Sequence, residues 1–240
     1  MFALNNMKLT GIYLDYRFPK VQPAESRGAL ILQYQRLCEY LALAATEWIR
    51  TLNLDLGPFN RIIFEEDADV DLQLVGEKAF VVRLNVEFPG FDQLCDSRTV
   101  HSYFSRKLIE GFDRFDQHFT LGLARQFREF LASAFADGYS YTKTRVTRKR
   151  PEQIRVFDRY TFDVYDLVLA MDSPNEPTKE IVLFTGLPDA MLVHFAVRKI
   201  VMTSEYIHVT NDLGKTTLLY RFGDTSDWVA VQDAPVYSFK

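Results

Sequence analysis

The chain has 240 residues, a formal charge of −4 and a pI near 5.6. That balance excludes a general polyanion binder, so any affinity for nucleic acid or an anionic membrane has to be local. Hydrophobic residues at 48% and charged residues at 25% exclude a disordered or low-complexity chain and supply a core without disulfides or metals.

Lys8 to Tyr16 reads as a strand, with Thr10, Ile12, Leu14 and Tyr16 on one face. From Glu25 to Leu52 the period changes to that of a helix. Leu30, Tyr34, Leu37, Leu41, Ala44, Trp48 and Leu52 form its apolar stripe, Arg36, Glu39, Glu47 and Arg50 lie on other faces, and Asn53 with Gly57-Pro58 stops it. Arg61 to Phe64 is a short strand. Val70, Leu72 and Leu74, then Phe80 to Phe88 in alternation, predict a hairpin turning at Gly76-Glu77, with one face packed and one wet.

Ser97 to Asp137 is helical again, capped by Ser97 or Asp96. Val100, Phe104, Leu108, Phe112, Phe115 and Phe119 make a stripe that Leu123, Phe127, Phe130, Leu131 and Ala134 continue. A break is expected near His118 to Thr120, or a kink, with Gly111 and Gly122 weakening the run without ending it. Beyond Gly138 the pattern is strand-like at 154–157, 160–171, 180–184, 192–202, 206–210, 216–222 and 228–231. Asn211 to Lys215 is expected to be a hairpin loop with Gly214 left-handed.

The fold expected from these elements is α+β and mostly antiparallel, with long helices in the N-terminal half. It divides as 1–138 and 139–240, or forms one continuous domain. Cys38 and Cys95 form no CxxC pair, which suits a reducing compartment. Met1 to Leu14 shows no secretory pattern and no apolar run is long enough for a bilayer, so the expected location is cytoplasmic.

Two charged runs carry the functional reading. Glu65, Glu66, Asp67, Asp69 and Asp71 place five carboxylates within seven residues. A solvated acidic turn ranks first, a patch for a basic protein second, and a hard-cation site third, since the ligand ladder and turn glycine of a calcium loop are missing. The other run spans 143–159: Lys143, Arg145, Arg148, Lys149, Arg150, Arg155 and Arg159 are opposed only by Glu152 and Asp158. These cations suit phosphate contacts, with Tyr139, Tyr141, Phe157 and Tyr160 for stacking, or else an edge strand whose charges deter aggregation; the second ranks higher. The four histidines make no ligand spacing: His194 and His208 read as sheet residues, and His101 and His118 as surface residues. Phosphate loops, dinucleotide fingerprints and nucleophile elbows are missing, so no cofactor and no catalytic residue are assigned.

In size, acidity and α+β plan the chain resembles the bacterial immunity proteins that neutralise a cognate toxin. The strand Lys8–Tyr16, the helix Gln35–Trp48 and the acidic turn Glu65–Asp71 carry the resemblance. It implies a non-catalytic inhibitor that occludes one protein partner. The candidate contacts are Glu65, Glu66, Asp67, Asp69, Asp71, Arg145, Arg148, Lys149 and Arg150. A nucleic-acid-binding module using 143–159 and a metal-dependent enzyme are the alternatives, and no membrane partner is expected.

Overall fold

The computed structural model describes residues 7–17, 24–67, 73–74, 78–149, 153–173 and 176–222. The architecture is α+β with mostly antiparallel sheets, and the long helices fall in the N-terminal half. The chain forms two compact units, Met1–Tyr141 and Thr142–Lys240.

In the first unit, β1 (Gly11–Tyr16), α1 (Ala24–Thr51), β2 (Arg61–Glu66), β3 (Gln73–Leu74) and β4 (Ala79–Leu84) precede α2 (Ser97–Phe119) and α3 (Leu123–Ala134). The sheet order is β1-β2-β4-β3. β1 and β4 both run parallel to β2, while β3 is antiparallel to β4. The short β3–β4 pair matches the expected hairpin; its turn at 76–77 lies outside the described residues. The wet face does not match. Val81 and Arg83 alternate with Phe80, Val82 and Leu84 and so fall on the expected wet face, yet they are 3% and 6% exposed. β4 is an interior strand, hydrogen-bonded on both edges, and parallel strands that carry helices are commonly buried on both faces.

Glu66 receives hydrogen bonds from both α1 and α2, so both helices lie over the sheet face that carries Ile12, Leu14, Ile62, Phe64 and Val82. Trp48 of α1 meets Phe112 of α2 and Phe127 of α3 at 5.4 and 5.0 Å between ring centroids. Phe64 reaches Phe112 at 5.0 Å. Burying these aromatic rings adds apolar area that stabilises this unit. Gly111 lets α2 approach the sheet: a Cβ there would lie 2.5 Å from the Phe64 ring.

Asp96 caps α2, its carboxylate accepting from the Arg98 and Thr99 amides in a reciprocal capping box. The break falls where expected, with α2 ending at Phe119. Thr120, at φ 54°, caps the end of α2, and Gly122, at φ 66°, precedes α3, so the run is interrupted there instead of merely weakened at Gly122. Asp116 then accepts from the Leu123 and Ala124 amides at 3.0 and 2.9 Å, satisfying the start of α3.

β1 is an edge strand whose outer edge is closed by a side chain. The Thr46 hydroxyl of α1 accepts from the Ile12 amide at 2.9 Å and donates to the Ile12 carbonyl at 3.1 Å. Arg50 donates to the Thr10 carbonyl at 2.7 Å. Unpaired ladder groups are thereby kept from recruiting another chain.

The second unit holds β5 (Tyr141–Arg148, which starts at the boundary), β6 (Gln153–Tyr160), β7 (Tyr165–Ser173) and β8 (Glu176–Gly186) in a sheet of order β5-β6-β7-β8. A short helix α4 (Ala190–Ala196) leads to the antiparallel sheet of β9 (Lys199–Met202), β10 (Tyr206–Thr210) and β11 (Thr216–Arg221). The strand expected over 192–202 is therefore half helix. Asp189 starts α4 by accepting from the Leu192 amide at 3.1 Å, and local capping overrides the apolar run that follows it. The hairpin loop is as expected: Gly214 has φ 72°, and Asn211 accepts from the Leu213 and Lys215 amides. The strand expected at 228–231 lies outside the described residues.

Candidate functional site

Three parallel strands end at one level. Tyr16 pairs with Glu66, and Glu66 with Leu84. The residues just beyond them gather at the carboxyl end of the sheet, where open sheets with parallel strands commonly place binding groups. Strand alternation then sends neighbouring carboxylates to opposite faces.

Glu66 points to the helix face and is fully buried. Its Oε1 accepts from the Tyr34 hydroxyl at 2.7 Å and the Tyr103 hydroxyl at 2.5 Å. Its Oε2 accepts from the Glu87 amide at 3.3 Å and faces Lys107 Nζ at 3.6 Å. Lys107, also fully buried, donates to the Asn85 carbonyl at 2.8 Å and to Glu110 at 3.2 Å, and lies 3.4 Å from Glu87. Burial, and next the charge of Glu66, push the Tyr34 and Tyr103 phenols far above their usual range, so both remain donors.

Glu65 and Asp67 point to the other face, with Arg83. Arg17 meets Glu65 at 2.9 Å and Asp67 at 3.2 Å; Arg83 meets the same two carboxylates at 3.6 and 3.7 Å. Two guanidinium groups and two carboxylates thus form one network, with Glu65 and Arg83 buried and Arg17 half in solvent.

This corrects the solvated-turn reading for the first part of the acidic run. Glu65 and Glu66 are 7% and 0% exposed; they close a strand end because arginines, a lysine and tyrosines converge on them. Asp69 and Asp71 lie outside the described residues. Among the described residues no group of three or more His, Cys, Asp or Glu side chains could hold a metal ion.

Lys107 was missed by sequence reasoning. Its signal is its spacing, three residues after Phe104 and four before Gly111, on the apolar stripe of α2.

Around this cluster lies a ledge of aromatic and charged side chains. Phe88 is half-buried against Tyr16, Tyr34 and Phe91 at 5.1, 5.5 and 4.9 Å. Val86 is 44% exposed. Arg106 pairs with Glu87 and lies over the Tyr103 ring at 5.6 Å. The hydrogen bond from Arg106, then the nearby charge of Lys107, hold the Glu87 carboxyl below its usual range.

The basic run has internal work. Arg145 of β5 donates to the Val197 carbonyl at 2.7 Å and lies 3.5 Å from Asp158. Arg148 donates to the Thr203 carbonyl at 2.7 Å and sits over the Phe222 ring at 4.8 Å. Arg155 pairs with Asp172, and Arg159 with Asp166 and Glu180. The edge-strand reading fits the first half of the run, since β5 closes one edge of its sheet, whereas Arg155 and Arg159 lie on β6, which has a neighbour on both sides. Arg145 and Arg148 tie β5 to the chain around β9 and β10. Lys149 follows the strand, and Arg150 lies outside the described residues.

His101 is half-buried, not a surface residue; its Nδ1 lies 3.2 Å from the Tyr40 hydroxyl, and desolvation lowers its pKa. His118 is exposed and His208 meets Thr216 at 2.7 Å on β10. His194 falls on α4, not on a strand. Cys38 is buried and Cys95 exposed, and both are free thiols. No helix among the described residues is long and apolar enough to cross a membrane. No protein-family model, curated protein or solved structure matches the chain.

Proposed function

We propose that this protein acts without catalysis by binding another protein, in the manner of the immunity proteins it resembles, and that the carboxyl end of β1, β2 and β4 is its docking face. One observation carries the reading. Val86 is exposed, Phe88 and Phe91 stand half-buried with their rings 4.9 Å apart, and the Glu87–Arg106 ion pair flanks this stretch. An apolar centre with aromatic anchors and a charged rim is the usual anatomy of a protein interface. The buried Glu66–Lys107 cluster beneath holds the ledge rigid, which lowers the entropy cost of docking. The charged rim orients the encounter and the ledge supplies the buried area.

Residues 143–159 contribute less to this reading than the acidic strand end. Arg145, Arg148, Arg155 and Arg159 hold acceptors within their own unit, so they would give up those partners to reach phosphates. The test is affinity capture of the tagged protein from its native host lysate, with and without nuclease. One stoichiometric protein, retained after nuclease and lost with Val86→Arg, is the expected result. Nucleic acid in its place, or a partner indifferent to Val86→Arg, overturns it.

A further inference from the structure

The side chain of His101 joins three parts of the first unit. It lies on α2, with its Nδ1 3.2 Å from the Tyr40 hydroxyl of α1. Its ring meets Phe135, the residue that ends α3, at 4.7 Å and Tyr139 at 5.2 Å. Phe135 in turn meets Tyr40 at 6.0 Å and Tyr141, the first residue of β5, at 6.5 Å. Residues 135–140 belong to no helix or strand. Gly138, at φ 144°, donates to the Phe135 carbonyl at 3.3 Å and turns the chain, so that Phe135 and Tyr139 both reach one imidazole. The ring cluster around His101 therefore fixes the stretch that carries the chain from α3 into β5.

Histidine is the side chain whose ordinary titration falls near neutral pH. A neutral ring accepts the Tyr40 proton at Nδ1, and burial pushes the Tyr40 phenol far above its usual range, so that proton stays. An imidazolium carries N–H at Nδ1 and has no lone pair to offer. The titratable groups that face the ring are Tyr40 from α1 and Tyr139 from the connecting stretch. Glu39 of α1 and Asp137 are the carboxylates next to these rings in sequence, and Arg98 precedes His101 by three residues on α2. Among the described residues no carboxylate forms an ion pair with the imidazole, and desolvation lowers its pKa below the ordinary 6.5. The unfolded chain then takes up this proton first. The stability that the neutral ring contributes is fully present above pH 6.5 and is lost as pH falls through the lowered folded value. We infer that His101 is a pH-sensitive latch: the neutral ring pins residues 135–141 to α1 and α2, and protonation releases them. The latch uses none of the residues of the docking face proposed above.

Amide hydrogen exchange of the whole chain, followed by NMR from about pH 7.5 to about pH 5 and corrected for the pH dependence of the chemical rate, tests this. Protection over residues 136–141 is expected to fall on acidification while protection in β2 holds. His101→Phe keeps a ring in the cluster and removes the titration, so its protection over 136–141 should stay level across the range. The His101 imidazole of the unsubstituted chain, followed by its own ring resonances, should titrate below 6.5. Level protection over 136–141 in the wild type overturns the inference. So does a ring that titrates at or above 6.5, an equal loss of protection in β2, or a pH-dependent loss that persists in His101→Phe.

Discussion

Lys107 and Glu66 are both fully buried, and their charged atoms lie 3.6 Å apart beneath the carboxyl end of the parallel strands. The pair brings α2 to β2, and the two tyrosines that bind the same carboxylate bring in α1. Desolvating two charges is costly, and the cost is offset only because nearly every lone pair and proton is matched. Removing one partner strands the other. Lys107→Met is therefore expected to lower stability by about 3–5 kcal/mol in urea unfolding. The double variant Lys107→Met with Glu66→Gln should lose less than the sum of the singles. An additive cycle would show that the two charges do not act as a pair.

Gly111 sets how closely α2 lies on the sheet. Alanine there would push its methyl group into the Phe64 ring, which is packed against Phe112 and has nowhere to move. Gly111→Ala normally favours a helix, by roughly 1 kcal/mol. Here overpacking should reverse the sign and destabilise by about 1–3 kcal/mol. Gly28, with no atom near its Cβ position, is the control and should gain stability on the same change. Equal effects at the two sites in thermal unfolding would refute the close-approach argument.

Asp158 gives a pH signature. It is 1% exposed, and burial raises its carboxyl above the usual 3.8 despite Arg145 and the Tyr165 hydroxyl at 2.9 Å. The folded chain then holds this proton more tightly than the unfolded chain. Its contribution is fully present below pH 3.8 and is lost as pH rises through the raised folded value. Asp158→Asn removes the titration, so the stability advantage of wild type over variant should shrink as pH rises across that window. The slope is at most about 1.4 kcal/mol per pH unit for one proton. Denaturant midpoints measured at closely spaced pH values check it, and a constant difference would count against the assignment.

Thr46 is the guard of the β1 edge. Thr46→Val keeps the shape and deletes both hydrogen bonds to Ile12. Leaving that amide and carbonyl without their partner should cost about 1–3 kcal/mol. Hydrogen exchange at the Ile12 amide should accelerate, and the opened edge should raise the tendency to aggregate. Unchanged exchange at Ile12 would show that the hydroxyl does not protect the strand.

Periodicity made the helices legible. The stripe from Val100 through Phe115 is buried along its whole length, and Leu41, Ala44 and Trp48 are buried on α1. Asp96 as a cap and Gly214 in a left-handed turn were readable because each is a local choice of side chain and backbone. Strand partnership was not. Alternation in Phe80 to Phe88 looks the same whether the neighbour is a hairpin partner or a parallel strand 18 positions away, and β4 has one of each. Run-length arguments about charge failed for a related reason. Glu65 and Glu66 are adjacent in sequence but belong to opposite sheet faces, one in a guanidinium network and one under two tyrosines.

The sequence by itself determined the α+β composition, the amphipathic faces of the helices and the ends that capping residues and glycines impose, because these depend on neighbours within one or two turns. Only the tertiary structure decided that Glu66 meets Lys107, that Thr46 closes the edge of β1, and that Arg145 and Arg148 hold carbonyls instead of facing solvent. Each of those joins residues 34 to 55 positions apart. Their pairing follows from sheet order and helix placement, which no local pattern encodes.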